Sequence, residues 1–233
     1  MRVSRGEFAH DYATYSFGYT LHAELEPHDE LTHVYREGFL PASVDPAVHN
    51  RFYMARSIRV PLARYEATSE NRRIYKKFDG VFETETVDPA FLKSDSLFSS
   101  CFLSYFRDHH GQGVMSEERL AGILSTDLPL YGTAYAKDGN RVAYVLEVKG
   151  ADFVHYWFSC YDTSFSGSSL GMWLMLDSVR RAKQEGSTYA YLGTAYGEKG
   201  RYKMNIAPLQ FWDGTTWQEN DTLLKERIVH DRI

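Results

Sequence analysis

Residues 153–203 read FVHYWFSCYDTSFSGSSLGMWLMLDSVRRAKQEGSTYAYLGTAYGEKGRYK, and most of the chain's candidate chemistry lies there. Asp162 ends an aromatic run and can relay a proton or cap the turn that follows. The Ser/Gly segment leading to Ser169-Leu170-Gly171 opens a helix. Backbone amides at such a start can hold a phosphate or a ribose hydroxyl, unless the serines simply cap it and Gly171 only allows close packing. Tyr191-Leu192-Gly193 ends the next strand. Lys199, Tyr202 and Lys203 can meet phosphates and a base ring, or form a solvated loop. A second basic group, Arg51, Arg56, Arg59, Arg64, Arg72, Arg73, Lys76 and Lys77, is set against only Glu66 and Glu70.

These residues require strands and helices to position them. Residues 154–161 and 189–192 read as strands, with a helix over 170–184 between them closed by Gly186. Upstream, residues 130–135 and 142–148 read as strands joined by the turn Asp138-Gly139-Asn140. Residues 91–109 and 117–124 read as helices. Residues 51–65 alternate apolar and basic side chains, as a strand or two with one polar face would. Thr68 or Ser69 is the expected cap of a short basic helix ending at Lys77. Residues 10–35 read as irregular except for a helix over 29–36 closed by Gly38. Residues 211–214 read as a turn before a terminal strand, and 223–229 as a final helix or strand. The class is α/β (α+β), a mixed sheet flanked by helices with a smaller N-terminal part. The acidic stretch 79–95 is the expected boundary.

Composition narrows the function classes. A chain of 233 residues with 17 Tyr, 14 Phe and 4 Trp can bury a substantial core. No apolar run approaches the roughly 20 residues needed to cross a bilayer, and the start has no apolar signal core, so a cytoplasmic protein with no membrane partner is expected. The two cysteines, Cys101 and Cys160, fit a reducing compartment and are too few for a thiolate metal or cluster site. The histidines His33, His49, His109 and His110 follow no metal-binding spacing, so no metal and no cofactor are expected. Net charge is −5, against a general nucleic-acid binder. The basic groups are local, however, and attraction is local once salt screens beyond about 10 Å.

The strand, turn, helix and strand of residues 153–203 resemble the acyl-CoA-binding half of the GNAT acyltransferase fold. The words Tyr161-Asp162, Ser169-Leu170-Gly171, Tyr191-Leu192-Gly193 and Lys199-x-x-Tyr202-Lys203 resemble more closely the C-terminal half of the aminoacyl-tRNA–protein transferases. Upstream matches extend this resemblance over nearly the whole chain: the segment Tyr12-Ala13-Thr14-Tyr15, then Tyr35 with Gly38-Phe39, then Arg59-Val60-Pro61. Ser69 with Arg72 and Arg73 continues it, as does YFRDHHGQGVM over residues 105–115.

The resemblance implies an N-terminal subdomain over 1–80 and a GNAT-like aminoacyltransferase domain over 81–233. It also implies transfer of leucine or arginine from a charged tRNA, the co-substrate, to the N-terminal amine of a protein or peptide, an acidic terminus being one candidate. Asp162 and Tyr202 become the catalytic candidates. Ser169, Leu170, Gly171, Tyr191, Gly193, Lys199, Lys203, Arg56, Arg59, Arg72 and Arg73 become the candidates for tRNA and substrate contact, the arginines offering forks for phosphate or carboxylate. Two departures accompany the matches. His49, Phe52 and Ala55 stand where the family carries cysteines, and Leu40-Pro41-Ala42-Ser43 stands where it carries R-R-S-G. Two other readings remain open. One is acetyl-CoA-dependent N-acetylation, for which Ser166-Gly167-Ser168-Ser169-Leu170-Gly171 is a poor pyrophosphate turn; the other is a non-catalytic tRNA- or degron-binding relic. Nothing in the sequence sets an oligomeric state.

Overall fold

The computed structural model describes residues 1–11, 16–43 and 50–231. Tyr12 to Tyr15 and His49 therefore lie outside the described residues, as does the side chain of Lys199. The chain opens with β1 (Arg2–Asp11) and β2 (Ser16–Glu24), an antiparallel pair where an irregular segment was expected. The sequence of β1 has few apolar residues, whereas β2 carries Phe17, Tyr19, Leu21 and Ala23 at every second position, an alternation readable as a strand. Next come α1 (Leu31–Arg36), β3 (Phe39–Pro41) and β4 (Arg51–Met54), which complete a four-stranded sheet in the order β1-β2-β4-β3. Gly38, at φ +80°, turns the chain from α1 into β3, and a Cβ there would stand 2.4 Å from the Trp212 ring.

The second sheet has eight strands. It takes in β5 (Ser57–Pro61), β6 (Glu83–Val87), β7 (Leu130–Lys137), β8 (Asn140–Lys149), β9 (Phe153–Tyr161), β10 (Tyr189–Thr194), β11 (Gln210–Trp212) and β12 (Trp217–Gln218). Their order is β12-β11-β5-β10-β9-β8-β7-β6. Two expectations change with this order. The expected boundary at 79–95 holds a strand of this sheet, because β6 pairs with β7 from Glu83↔Ala136 to Val87↔Gly132. A division at residue 80 also does not follow the sheets, because β5 sits between β10 and β11. The β7–β8 turn is as expected: Asp138 and Gly139, at φ 53° and 77°, form the two-residue hairpin whose twist matches the strands.

Helices α2 (Ser69–Phe78), α3 (Pro89–Leu92), α4 (Ser96–His110), α5 (Glu117–Leu124), α6 (Leu170–Gln184), α7 (Gly197–Gly200) and α8 (Asp221–His230) complete the chain. Thr68 and Asn71 form a reciprocal capping box at the start of α2. The single helix expected over 91–109 is two, because DPAFLKSDS carries two caps. Asp88 accepts from the Ala90 amide ahead of Pro89, and Asp95 accepts from the amides of Leu97 and Phe98.

Side-chain alternation along the strands divides the core. Ile58, Val60, Val145, Val154, Ala190 and Leu192 face α2 and α6. Ala134, Tyr144, Leu146 and Cys160 face α3, α4 and α5. Phe153 and Tyr191 face the four-stranded sheet and α1, against Tyr35, Phe39 and Phe52. A buried polar network ties α6 to this sheet. The Arg181 guanidinium pairs with Glu147 at 2.9 Å and Asp177 at 3.0 Å. Tyr135 donates to Asp177 at 2.8 Å, and Ser178 donates to Glu147. Glu147 is 1 % exposed, so its charge depends on the guanidinium opposite. We expect Arg181→Met to cost about 3–5 kcal/mol, because it strands two carboxylates away from water. Denaturant unfolding of the variant beside wild type checks this, and a loss under about 1 kcal/mol would show that water already reaches the pair.

Candidate functional site

A cleft opens where two adjacent strands part. β9 and β10 run parallel and pair only at Phe153↔Tyr189, Val154↔Ala190 and His155↔Tyr191. Each strand then carries an irregularity. Between β8 and β9 the register shifts at Leu146/Glu147, leaving Trp157 as the extra residue. Between β10 and β5 the pairs step from Tyr191↔Arg59 to Thr194↔Ser57, one residue longer on β10. Gly193, at φ +75°, takes up that extra residue in a conformation other side chains resist. Bulges twist and bend the strands that carry them, so β9 stays with β8, β10 stays with β5, and a wedge is left between.

Divergence frees backbone carbonyls that a neighbouring strand would have engaged, and a lysine takes them. Lys203 Nζ donates to Leu192 O at 2.8 Å and to Thr194 O at 2.9 Å. It forms no ion pair among the described residues, and burial lowers its pKa to about 8. His155, 1 % exposed, forms the floor of the cleft and shares a 2.8 Å hydrogen bond between its Nδ1 and the Tyr35 hydroxyl. Burial first, and the Lys203 charge second, lower its pKa to about 3, so the ring is neutral at physiological pH.

The cleft encloses about 670 Å³, a volume suited to a small ligand or the end of a larger one. Tyr53, Tyr105, Tyr156, Tyr161 and Tyr202 line it, and the start of α6 contributes Ser169 and Gly171. Tyr105 stacks on His109 at 4.2 Å and lies 4.7 Å from the Tyr161 ring. Gly171 keeps α6 close to β9, because a Cβ there would meet Tyr161 at 3.1 Å. Arg119 reaches the cleft from α5. No aspartate or glutamate lines the cleft among the described residues, whereas Lys203 and Arg119 do. The cavity therefore favours an anionic occupant.

The residues singled out in the sequence separate into four groups. Ser169, Gly171, Gly193, Tyr202 and Lys203 are brought together around the cleft. Leu170 and Tyr191, each 1 % exposed, are core residues. The Tyr191 ring packs against Tyr35 and Phe153 beside the four-stranded sheet, and its neighbour Leu192 is among the residues that line the cleft. Asp162 lies exposed outside the cleft lining and accepts from the Ser164 amide at 2.8 Å, capping a short 3-10 turn. The arginines have other duties. Arg56 forms a two-pronged pair with Asp231 at 2.8 and 2.9 Å. Arg59 lies between the rings of Tyr189 and Trp217, at 3.8 and 4.0 Å. Arg73 pairs with Glu70 on an exposed helix face, and Arg72 donates to Ala67 O.

Sequence reasoning passed over Arg119 and His155. A histidine inside the apolar run FVHYWF was a readable signal of a buried polar role; Arg119 carries no local signal, since α5 has an ordinary amphipathic pattern. Among the described residues no three His, Cys, Asp or Glu side chains gather as a metal site. No helix there is long and apolar enough to cross a membrane.

Residues 117–204 match the acetyltransferase (GNAT) domain family. That span holds β7 to β10, α6 and the diverging strand ends, so the chain carries a GNAT domain in a mixed sheet flanked by helices. The chain is similar to the aspartate/glutamate leucyltransferase of Cereibacter sphaeroides, 29 % identical over 70 % of this chain and 61 % of that one. It is also similar to that of Chromobacterium violaceum, 26 % identical over 69 % and 67 %. The chain thus spans about three fifths of the length of the Cereibacter relative. A crystal structure of FemX aligns over 90 % of this chain and 67 % of its own, with a TM-score of 0.49 and 10 % identity.

The position of Asp162 yields a direct test. Asp162→Ala should cost about 0.5–2 kcal/mol through loss of the cap, and Asp162→Asn, which keeps an acceptor oxygen, should melt close to wild type. Thermal melts of both variants check this; an Asn variant as unstable as the Ala variant would show that the charge, not the cap, is needed.

Proposed function

We propose that the cleft transfers an aminoacyl group from a charged tRNA to the N-terminal amine of a protein or peptide. The carrying observation is the Lys203 ammonium, held by two strand carbonyls in a cleft with no carboxylate in its described lining. Two of its three N–H bonds are spent on those carbonyls, and the third can donate to an oxygen of the donor. A tRNA 3′ end brings phosphates, a ribose and a base, which suit a cation and the tyrosine-rich walls. Similarity to proteins named aspartate/glutamate leucyltransferase supports leucine as the transferred residue and an acidic terminus on the acceptor.

The ester of a charged tRNA is already activated. The acceptor amine attacks the ester carbonyl, a C–N bond forms, the bond to the ribose oxygen breaks, and the amine proton passes to that oxygen or to water. An α-amine has a pKa of about 7.7–8.0, so a useful neutral fraction exists at pH 7. Since Asp162 caps a turn outside the cleft lining, holding amine and ester together is the main contribution available. Lys203 can also stabilise the carbonyl oxygen as charge develops on it. The acetyl-CoA reading has less support. Ser169 stands where that turn carries glycine, and the first amide of α6, Leu170 N, already donates to Ser168 Oγ at 3.3 Å.

Incubation with leucyl-tRNA or arginyl-tRNA and a peptide beginning with Asp should yield the extended peptide and uncharged tRNA. Acetylation of that peptide from acetyl-CoA with no aminoacyl transfer would overturn the proposal. Lys203→Met should lower tRNA affinity and flatten its salt dependence by about 0.7–0.9 in log–log slope per lost contact. The lysine is charged below about pH 8, so wild-type affinity should weaken as pH rises through that value. Lys203→Arg should move that loss to higher pH. Stability runs the other way. The folded pKa is depressed, so the unfolded chain binds more protons between about pH 8 and the ordinary lysine value. Wild type should therefore gain stability across that window relative to Lys203→Met, as pH-dependent unfolding can show.

A further inference from the structure

Arg119 is the second cation of the cleft, and it combines neutral partners with partial burial, whereas Arg72, which also donates to a backbone carbonyl, is exposed. Its guanidinium leaves α5 for the loop after β3, donating from Nε to Ser43 O and from Nη2 to Ser43 Oγ, each at 2.9 Å, and from Nη1 to Val114 O. All three acceptors are neutral, and Arg119 forms no ion pair among the described residues. Arg56, Arg73, Arg180 and Arg181 each have a carboxylate, and Arg59 is enclosed by aromatic rings. Arg119 is half-buried, and burial pulls its pKa below the ordinary arginine value. A partly desolvated cation with no carboxylate partner among the described residues gains most from an anion that enters the cleft.

The hydrogen bonds also set how many donors Arg119 has left for an anion. The guanidinium has five N–H bonds and spends one at each nitrogen, which leaves one on Nη1 and one on Nη2. One N–H on each terminal nitrogen of a planar cation can donate to the oxygens of a carboxylate or a phosphate, and an acidic acceptor terminus supplies the first. The anchors at Ser43 and Val114 hold the fork in place beforehand, so little side-chain entropy is lost when it is engaged. They also bring a cation to the loop Leu40-Pro41-Ala42-Ser43, which has none of its own.

We propose that Arg119 selects the acceptor by gripping the side-chain carboxylate of an acidic N-terminal residue. The assignment rests on the aminoacyl-transfer reading, and it separates the two cations of the cleft: Lys203 serves the donor and Arg119 the acceptor.

The test compares peptides that differ only in an N-terminal Asp or Asn, with leucyl-tRNA as donor. Wild type should favour the Asp peptide by about tenfold or more in kcat/KM, because a site built to bond a group discriminates against the analogue lacking its charge. Arg119→Gln should bring the ratio close to one by lowering the Asp value alone, with leucyl-tRNA affinity and its salt slope unchanged. Arg119→Lys should fall between, since it keeps the charge and loses the fork. Equal losses on both peptides, no preference in wild type, or a flatter salt slope for leucyl-tRNA in Arg119→Gln would each overturn the assignment, the last by making Arg119 a phosphate contact. If Arg119→Gln does not fold, as a melting curve would show, the Arg119→Lys ratio decides alone. If wild type transfers nothing, the aminoacyl-transfer reading has failed, and direct binding of the labelled peptides decides for the subsite. Tighter binding of the Asp peptide, abolished in Arg119→Gln, supports it; equal binding of the two peptides overturns it.

Discussion

A sheet that parts between two of its strands must settle its broken ladder, and the structure turns on how this one does so. Backbone carbonyls left inside a protein without a donor cost about 1–3 kcal/mol each. Leu192 and Thr194 lose a neighbouring strand where β10 leaves β9, and the ammonium of Lys203 supplies the donor. A water or a serine hydroxyl could satisfy the same carbonyls, but neither would bring a charge. The repair of the sheet and the chemistry of the cleft are therefore one interaction. It also adds to the electrostatics around it: burial first and the ammonium second keep the neighbouring histidine neutral, and no acid lines the cleft among the described residues to quench the charge.

The rest of the large sheet makes that opening tolerable. On one side α6 crosses from β9 to β10 and is fastened by the Arg181 network to β7 and β8. On the other, α1 presses Tyr35 against Phe153 and Tyr191, on the residue pairs where β9 and β10 still touch. The closed half of the strand pair is packed on both faces, so the two strands can separate at the other end without the sheet coming apart.

Periodicity found what is repetitive, namely the β7–β8 hairpin, β9, α6 and β10, because those segments bury one regular stripe or face. It missed the first hairpin, where β1 has few apolar residues and the alternation of Phe17, Tyr19, Leu21 and Ala23 in β2 went unread, and it joined α3 to α4 because their caps are single aspartates in an otherwise helical run. Within the cleft, Lys203, Ser169, Gly171 and Gly193 were reachable from local words in the sequence. Tyr191 was chosen over Leu192 because an aromatic ring looks more functional than an aliphatic chain, whereas that ring is spent on packing against Tyr35 and Phe153. The basic arginines of the N-terminal third looked like a contact surface, and long-range partners such as Asp231 and Trp217 use up two of them. Arg119 was invisible for the same reason: its place depends on a loop 76 residues earlier in the chain.

The position of β5 bears on how such a chain reaches its native state. Arg59 on β5 bonds to Tyr191 and Gln210, 132 and 151 residues further on, and Trp217 closes over Arg36 across 181 residues. Contacts this distant in sequence are slow to form, because the loop-closure entropy is spent before they return anything. During synthesis β1 to β4 can pair among themselves, but β5 must wait with both edges unpaired until β10 and β11 have left the ribosome. A chain built this way is most exposed to mispairing while it is being made, and its dependence on chaperones would be set by that interval rather than by the stability of the finished fold.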